Sequence, residues 1–423
     1  MTSLLDHPFI NRVTAPVRTA APPPRPAAQG PVRWLPLGIA AVIGIGLTIW
    51  IGSQHGARYA TLLVVGLLLG FALFHSRFGF TSAWRQLIAV GNGTGLRAHT
   101  LLIGTAASVV MLIAASGAGL FGVTPTVKAT PIGLPLFVGA ALFAIGMQLG
   151  GACASGTLFA VGSGQSAILF TLLGLIAGSV IYTAGYPAFA NWPQVPGTLL
   201  SDHVGWFGSW LITIAALIGV AVIARLVQLR RTPPPTAAVA TSHGPARIIR
   251  GSWPLLAGAV VLGLLAGAVL LVSGSTWGVT FAFALWGAKF LQLIGLHPET
   301  WAFWQQAANA KALAASAWTD KTTLTDVGIM IGAALASAAA GAWTLRSAIR
   351  WRPTLAAVLG GICMGIGARL AGGCNIGAYL SGISVGNLSG WLWAVFALAG
   401  TWVGLRLRPL FGLDNPAPTD SVC

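Results

Sequence analysis

From Ala129 to Ser201 the chain carries no Asp, Glu, Lys or Arg, and three more charge-free runs follow: Val204 to Ala224, Gly251 to Ala288 and Leu370 to Leu405. An α-helix crosses a bilayer with about 20 apolar residues, so these runs hold several crossings and demand a polytopic membrane protein. Charged residues are only 7% of the 423, against roughly 25% in a soluble domain. A secreted enzyme, a nucleic-acid binder and a single-span receptor all run against this pattern. The net charge of +16 is scattered between hydrophobic runs and forms no basic face interleaved with aromatics, so no nucleic-acid partner is expected.

The fold class that follows is all-α, with the lipid bilayer as its solvent. Window hydrophobicity and flanking charge set about ten crossings, over residues 35–52, 59–75, 100–122, 132–148, 166–187, 205–229, 253–273, 326–345, 354–369 and 388–406. Alternating sides along these crossings gathers Arg12 to Arg33, Arg77 to Arg97, Arg225 to Arg250, Arg346 to Arg352, Arg406 and Arg408 on one side. Positive charge stays inside, which places both termini in the cytoplasm of a bacterial inner membrane. Residues 1–34 are Pro- and Ala-rich and read as a disordered cytoplasmic tail with no cleavable signal. The basic, Pro-rich stretch 230–252 reads as a flexible linker between membrane halves 35–229 and 253–408, and 409–423 as a C-terminal tail.

The halves repeat one another. Ile145-Gly146-x-x-Leu149-x-Gly151-x-Cys153-x-x-Gly156 matches Ile366-Gly367-x-x-Leu370-x-Gly372-x-Cys374-x-x-Gly377 at identical spacing, with Gly139 and Gly360 upstream and Ser163 and Ser384 downstream. A second shared element comes earlier in each half, Ser76-Arg77-Phe78-Gly79-Phe80-Thr81 against Ser275-Thr276-Trp277-Gly278-Val279-Thr280. Placed on the ten crossings, the halves point opposite ways, as two inverted repeats. Residues 76–97, 149–165, 275–295 and 371–387 are Gly-rich and awkward as full crossings. They are expected to be re-entrant half-helices that bring both cysteines to the bilayer midplane.

A thiol at such a break has a chemical use. Unpaired amides at a half-helix N-terminus offer positive potential to an anion, and a polarizable sulfur suits a soft, sulfur-bearing ligand. Cys153 and Cys374, with Gly151, Gly156, Gly373 and Gly377 around them, are therefore the candidate substrate-binding residues. Either cysteine alone would read as a small buried filler; matched thiols in two repeats favour function, because packing accepts Ala or Ser equally well. Ser76 and Ser275 offer hydroxyl donors or local caps. Arg369 stands where the first half has Gln148, and either draws an anion or snorkels to the surface.

Other chemistry is not expected. The four cysteines, Cys153, Cys363, Cys374 and Cys423, form no CxxC pair, so no metal or other cofactor is called for. Cys363 reads as a packing residue. No acidic residue falls inside a proposed crossing except Asp326 at one edge, which leaves no evident carboxylate relay. His55, His75 and His99 read as interfacial. The insertion Glu299 to Lys321 reads as an amphipathic helix on the outer surface.

On the paired G-x-C-x-x-G elements and S-x-[FW]-G-x-T, the chain from about residue 59 to 406 resembles the YeeE/YedE family, also called the sulphur transport domain. The resemblance implies an hourglass-shaped inverted-repeat fold and uptake of a small sulfur-containing anion, such as thiosulfate, along a cysteine-lined path. Cys153 and Cys374 match the two family cysteines; the family's further cysteine position in the first re-entrant element is Gly79 here. The expected protein is a transporter and not an enzyme. Two alternatives stand beside it: a membrane sulfur-relay component that hands sulfur to a cytoplasmic sulfur-carrier protein, and a carrier for a selenium or other reduced-sulfur compound.

Overall fold

The computed structural model describes residues 30–231, 233, 242, 244–345 and 350–415. Most of the tail expected over 1–34, the middle of the linker 230–252, and the end of the C-terminal tail with Cys423 lie outside these residues. In chain order the helices are α1 (Trp34–His55), α2 (Ala57–Ser76), α3 (Phe80–Val90), α4 (Thr94–Ser116), α5 (Leu134–Leu149), α6 (Ala154–Gly162), α7 (Leu169–Ala184), the short α8 (Pro187–Ala190) and α9 (Ser201–Arg231). The linker contributes α10 (Ala246–Arg250). The second half adds α11 (Leu255–Ser273), α12 (Phe281–Leu293), α13 (Ala307–Ala314), α14 (Lys321–Ala339), α15 (Trp351–Leu370), a π-helical turn (Asn375–Leu380), α16 (Ser381–Ser384) and α17 (Leu388–Leu407). The strands β1 (Ile132–Gly133) and β2 (Gln194–Val195) form one small antiparallel pair.

Ten helical stretches among the described residues are long and apolar enough to cross a membrane, and each overlaps one of the ten crossings read from the sequence. Two of those that begin earlier than expected do so by the widest margin. α14 starts at Lys321 because the Asp320 carboxylate caps it, accepting from the Thr323 N–H at 2.7 Å and from the Thr322 hydroxyl. Thr325 then returns its hydroxyl to the Lys321 carbonyl at 3.1 Å. With its first turn satisfied this way, α14 tolerates a polar start. Asp326, expected at the edge of a crossing, is instead in its second turn and fully buried. α4 likewise starts at Thr94, where Arg97 reaches the Gln228 side chain at 2.9 Å.

The glycine excess, 56 of 423, is concentrated where helices touch. Membrane helices gain little from burying apolar surface against one another, so they associate by close packing, and glycine permits the closest approach. A Cβ added at Gly70 would overlap the Ile329 carbonyl of α14, and one at Gly332 would overlap the Leu67 carbonyl of α2. α2 packs on α14 as α11 packs on α4; α7 packs on α15 as α17 packs on α5; α6 packs on α14 as α16 packs on α4; α12 packs on α7 as α3 packs on α17. Each contact thus has a partner contact with the halves exchanged. Two further pairs, α5 with α15 and α2 with α11, join corresponding helices. Gly139 meets Gly367 and Gly146 meets Gly360, so α5 and α15 run antiparallel. Arg58 at the start of α2 donates to the Val272 and Ser273 carbonyls at the end of α11, while Gly258 near the start of α11 abuts Ser76. α2 and α11 are therefore antiparallel as well.

α1 and α9 lie at the periphery, with most of their surface outside the bundle. The described end of the linker is anchored: Arg250 donates to the Gly30 and Ala339 carbonyls, and the Trp253 N–H to the His75 carbonyl. The insertion after Glu299 is not one amphipathic helix. Pro298 and the cap made by Ser316 break it into two 3-10 turns around α13. Phe303, Trp304 and Leu313 bury themselves against Tyr182, Leu285 and Leu370.

Candidate functional site

The two cysteines occupy matching turns. α5 ends at Leu149 and α15 at Leu370, and because these helices are antiparallel their ends face opposite sides of the bundle. After each, one exposed glycine takes the left-handed conformation, Gly151 with φ 83° and Gly372 with φ 70°. An L side chain pays a steric penalty there, which accounts for glycine at both places. Two residues on, the chain is extended at the cysteine, with φ −81° and ψ −177° at Cys153 and φ −89° and ψ −171° at Cys374. Each cysteine is the N-cap residue of the segment that follows, and its carbonyl accepts an N–H four residues on: Thr157 for Cys153 and Ala378 for Cys374, both at 2.7 Å. Cys153 is 2% exposed and Cys374 0%, and both belong to one continuous buried core. They lie within electrostatic reach of one another.

Around the sulfurs the glycines have distinct jobs. The Cys153 sulfur accepts from the Gly156 N–H at 3.4 Å and lies 3.6 Å from the Ser155 hydroxyl. A Cβ on Gly156 would press on that sulfur at 3.3 Å. In the second half the Cys374 sulfur faces the Ile376 and Gly377 amides without a cap hydrogen bond. Gly373 has no room for a Cβ beside the Ala378 amide, and Gly377 looks onto Gly278 of the other shared element. Ser381 completes that junction by donating to the Trp277 carbonyl at 2.7 Å.

Aromatic rings pack around the segment that follows Cys374. Tyr379 stacks on Trp393 at 6.0 Å and meets Trp84 edge-on at 5.4 Å. His99, expected at an interface, is buried against Phe80 and Tyr379, and its Nδ1 accepts from the Trp84 indole at 3.2 Å. His75 is also buried, stacked on Trp253. Both histidines end up inside because α3 and the linker fold back over them. A small cavity of about 10 Å³ beside His99 is lined by Arg77, Gly79, Ser82 and Gly95.

Arginines stand beside both breaks, from different elements. At the first, Arg85 of α3 donates to the Gln148 side chain at 3.1 Å and lies 3.5 Å from the exposed Gly151 carbonyl. Arg408 holds the Gln148 carbonyl at 2.7 Å. At the second, Arg369 itself donates to the Thr280 hydroxyl at 2.9 Å and stacks over Phe281. Its Nε is buried without a partner. Arg369 therefore points inward rather than snorkelling. Arg85 went unnoticed in the sequence, although it lies one helical turn past Thr81, which the repeat had marked.

Other candidates are turned elsewhere. Ser76 donates back to the Ala72 carbonyl at 2.6 Å, and the Ser275 hydroxyl accepts from Lys321 at 2.7 Å; both shape helix ends. Lys289 holds the Leu313 and Ala315 carbonyls of the insertion. Cys363 is half-buried on α15. The site also holds groups with no evident sequence signal. Asn375 is fully buried with neither side-chain amide atom hydrogen-bonded, the Trp277 indole N–H is buried and unpartnered, and so are both Asp326 oxygens. Buried polar atoms are nearly always paired in folded proteins, so these atoms need partners, water or a bound group, beyond the side chains and backbone around them.

Residues 75–403 match the family model for sulphur transport. The thiosulfate transporter TsuA of Spirochaeta thermophila is 28% identical over 357 residues, covering 81% of this chain and 96% of that protein. TsuA of Escherichia coli is 27% identical over 348 residues, covering 80% and 92%. The probable transporter YedE of Escherichia coli is 32% identical over 161 residues, 38% of this chain and 39% of its own length.

Proposed function

The chain belongs to the sulphur transport family, and from that premise we propose that it carries a small sulfur-containing anion of the thiosulfate kind across the bacterial inner membrane. The observation that carries this reading is the pair of matched turns at Cys153 and Cys374, buried in one core and opening through Gly151 and Gly372 toward opposite sides. The exchanged contacts and antiparallel pairings support an inverted repeat, the architecture that puts a transport site at the interface of two halves. In this reading both ends of the chain are cytoplasmic and the arginine-rich loops lie inside.

The anion enters beside Gly372, where Arg369 offsets its charge. Its oxygens meet the amides at Gly377 and the side chain of Asn375, and its terminal sulfur meets the Cys374 thiol. It then passes Cys153, with Gly156 leaving room at the sulfur, and leaves by Gly151 and Arg85. Thiol contacts to sulfur are weak, so successive sites permit both entry and exit, and no covalent step is needed. Both thiols are sealed at rest, so passage requires the aromatic layer of Trp84, Tyr379 and Trp393 to yield. A cytoplasmic sulfur carrier would receive the anion on the Arg85 side.

Radiolabelled thiosulfate uptake tests this, in a host lacking its own uptake systems. Cys374→Ala and Cys153→Ala are each expected to cut the rate about tenfold or more. Wild-type rates in both variants would sink the thiol path, and a wild type that moves no thiosulfate would redirect the search to other reduced-sulfur and selenium anions.

A further inference from the structure

We propose that Asp326 carries a proton inward together with the anion, so that transport is a proton-coupled symport with its proton site beside Cys374; the proposal rests on the transport reading above. Asp326 is fully buried, both its oxygens lack a hydrogen-bond partner, and it lies within electrostatic reach of Cys374 and Asp320. It shares a face of α14 with Thr322, one turn earlier, whose methyl touches the position of a Cβ on Gly278. Gly278 in turn faces Gly377. Thr322 thus links the start of α14 to the second cysteine break, one turn before Asp326.

No cation on the surrounding elements is committed to it. Lys321 is held by the Ser275 hydroxyl and the Thr276 carbonyl, Arg369 by Thr280, and Lys289 by the Leu313 and Ala315 carbonyls. α2 meets the neighbouring residues Thr325, Gly328 and Ile329 through Leu63, Gly66 and Gly70, its Arg58 is held by the Val272 and Ser273 carbonyls, and α6 has no ionisable side chain. On α1 the ionisable group is His55, at the helix end, and Arg250 of the α10 segment meets the Ala339 carbonyl at the far end of α14. The remaining titratable neighbours are Cys374 and Asp320, and Asp320 is occupied capping α14.

A bare carboxylate in such a place is costly, whereas a carboxylic acid is not. An anion at Cys374 adds a second negative charge nearby, so anion and proton favour each other's binding, and reciprocally. The proton enters from the outer solution onto a carboxyl oxygen, travels in the loaded state, and leaves to the cytoplasm after the anion departs. It halves the net charge that a dianion would otherwise carry inward. The corresponding stretch of α4, Leu102 to Ala106 against Gly263, has no ionisable residue, so the coupling group is confined to one half.

Full-length protein in proteoliposomes tests this, with a pH dye outside and labelled thiosulfate. An inward thiosulfate gradient is expected to alkalinise the outer medium in step with influx, and exchange is expected to slow several-fold as the pH rises. Asp326→Asn is expected to lose both the proton signal and the pH dependence, and Asp326→Glu to restore them. Wild-type influx without alkalinisation overturns the proposal and leaves the transport reading standing, as does an Asn variant that still moves protons. If the Asn variant does not fold, the wild-type proton signal and the Glu variant decide. Absence of thiosulfate exchange in the wild type removes the transport reading, and this proposal with it.

Discussion

Cys153 and Cys374 stand at the same point of the same backbone turn, yet a regular helix follows the first and a π-helical turn the second. At the Cys153 turn itself the polar side chains are paired: Gln148 binds Arg85 and the Thr81 carbonyl, and the Cys153 sulfur takes the Gly156 N–H. In the second half Arg369 replaces Gln148, Asn375 replaces Ala154, and several polar atoms are buried without partners. π-Turns inside helices recur at functional sites. The difference teaches that Gly-x-Cys sets the backbone in both halves, while the side chains around the two turns have diverged. In the transport reading proposed above, the second break holds the ligand and the first lets it go.

The comparison breaks most severely at the α5–α15 crossing. Gly146→Leu and Gly360→Leu insert side chains where the backbones touch, and each is expected to cost about 3 kcal/mol or more. Thermal melts of detergent-solubilised protein measure this, and unequal losses would show that the halves do not share the crossing evenly. Arg369→Gln gives the second half the residue of the first. Thiosulfate KM is expected to rise about tenfold, against about threefold for Arg85→Gln, since only Arg369 keeps an unpartnered N–H toward the interior. Equal effects would contradict the assignment of entry and exit. Asn375→Ala copies Ala154. It removes two orphaned polar atoms, so stability is expected to rise by about 1 kcal/mol while uptake falls about threefold; a fall in both would mean the amide is structural. The smallest effect belongs to Gly79→Cys. Gly79 has ordinary extended dihedrals, and a Cβ there meets only the Ser82 side chain, chiefly its movable hydroxyl. Uptake is expected to stay within about twofold of wild type, and a collapse would mean that the space by His99 must stay open.

The membrane architecture was legible because charge is absent over such long stretches, and the matched cysteines because two motifs recur at one spacing. Asp326 was misplaced by its neighbours. Lys321, Thr322, Thr323 and Thr325 lower the local hydropathy and make the helix look late, but threonine hydroxyls can satisfy themselves on the preceding turn. His99 and His75 were misjudged for a related reason: their depth depends on α3 and the linker folding back, a tertiary fact with no local trace. Arg85 was hidden among basic residues that orient the chain, and only its pairing with Gln148 sets it apart.

The burial of the paired thiols also bears on chemical labelling. Among the described residues, Cys363 is the one cysteine with its side chain partly open at rest, so a bulky alkylating reagent applied to the idle protein modifies the thiol outside the path. In the proposed transport cycle, Cys374 and Cys153 become reactive only during the interval in which cargo parts the aromatic layer. The rate at which substrate accelerates their modification is therefore a stopwatch for the open state, readable by mass spectrometry without measuring any transport at all.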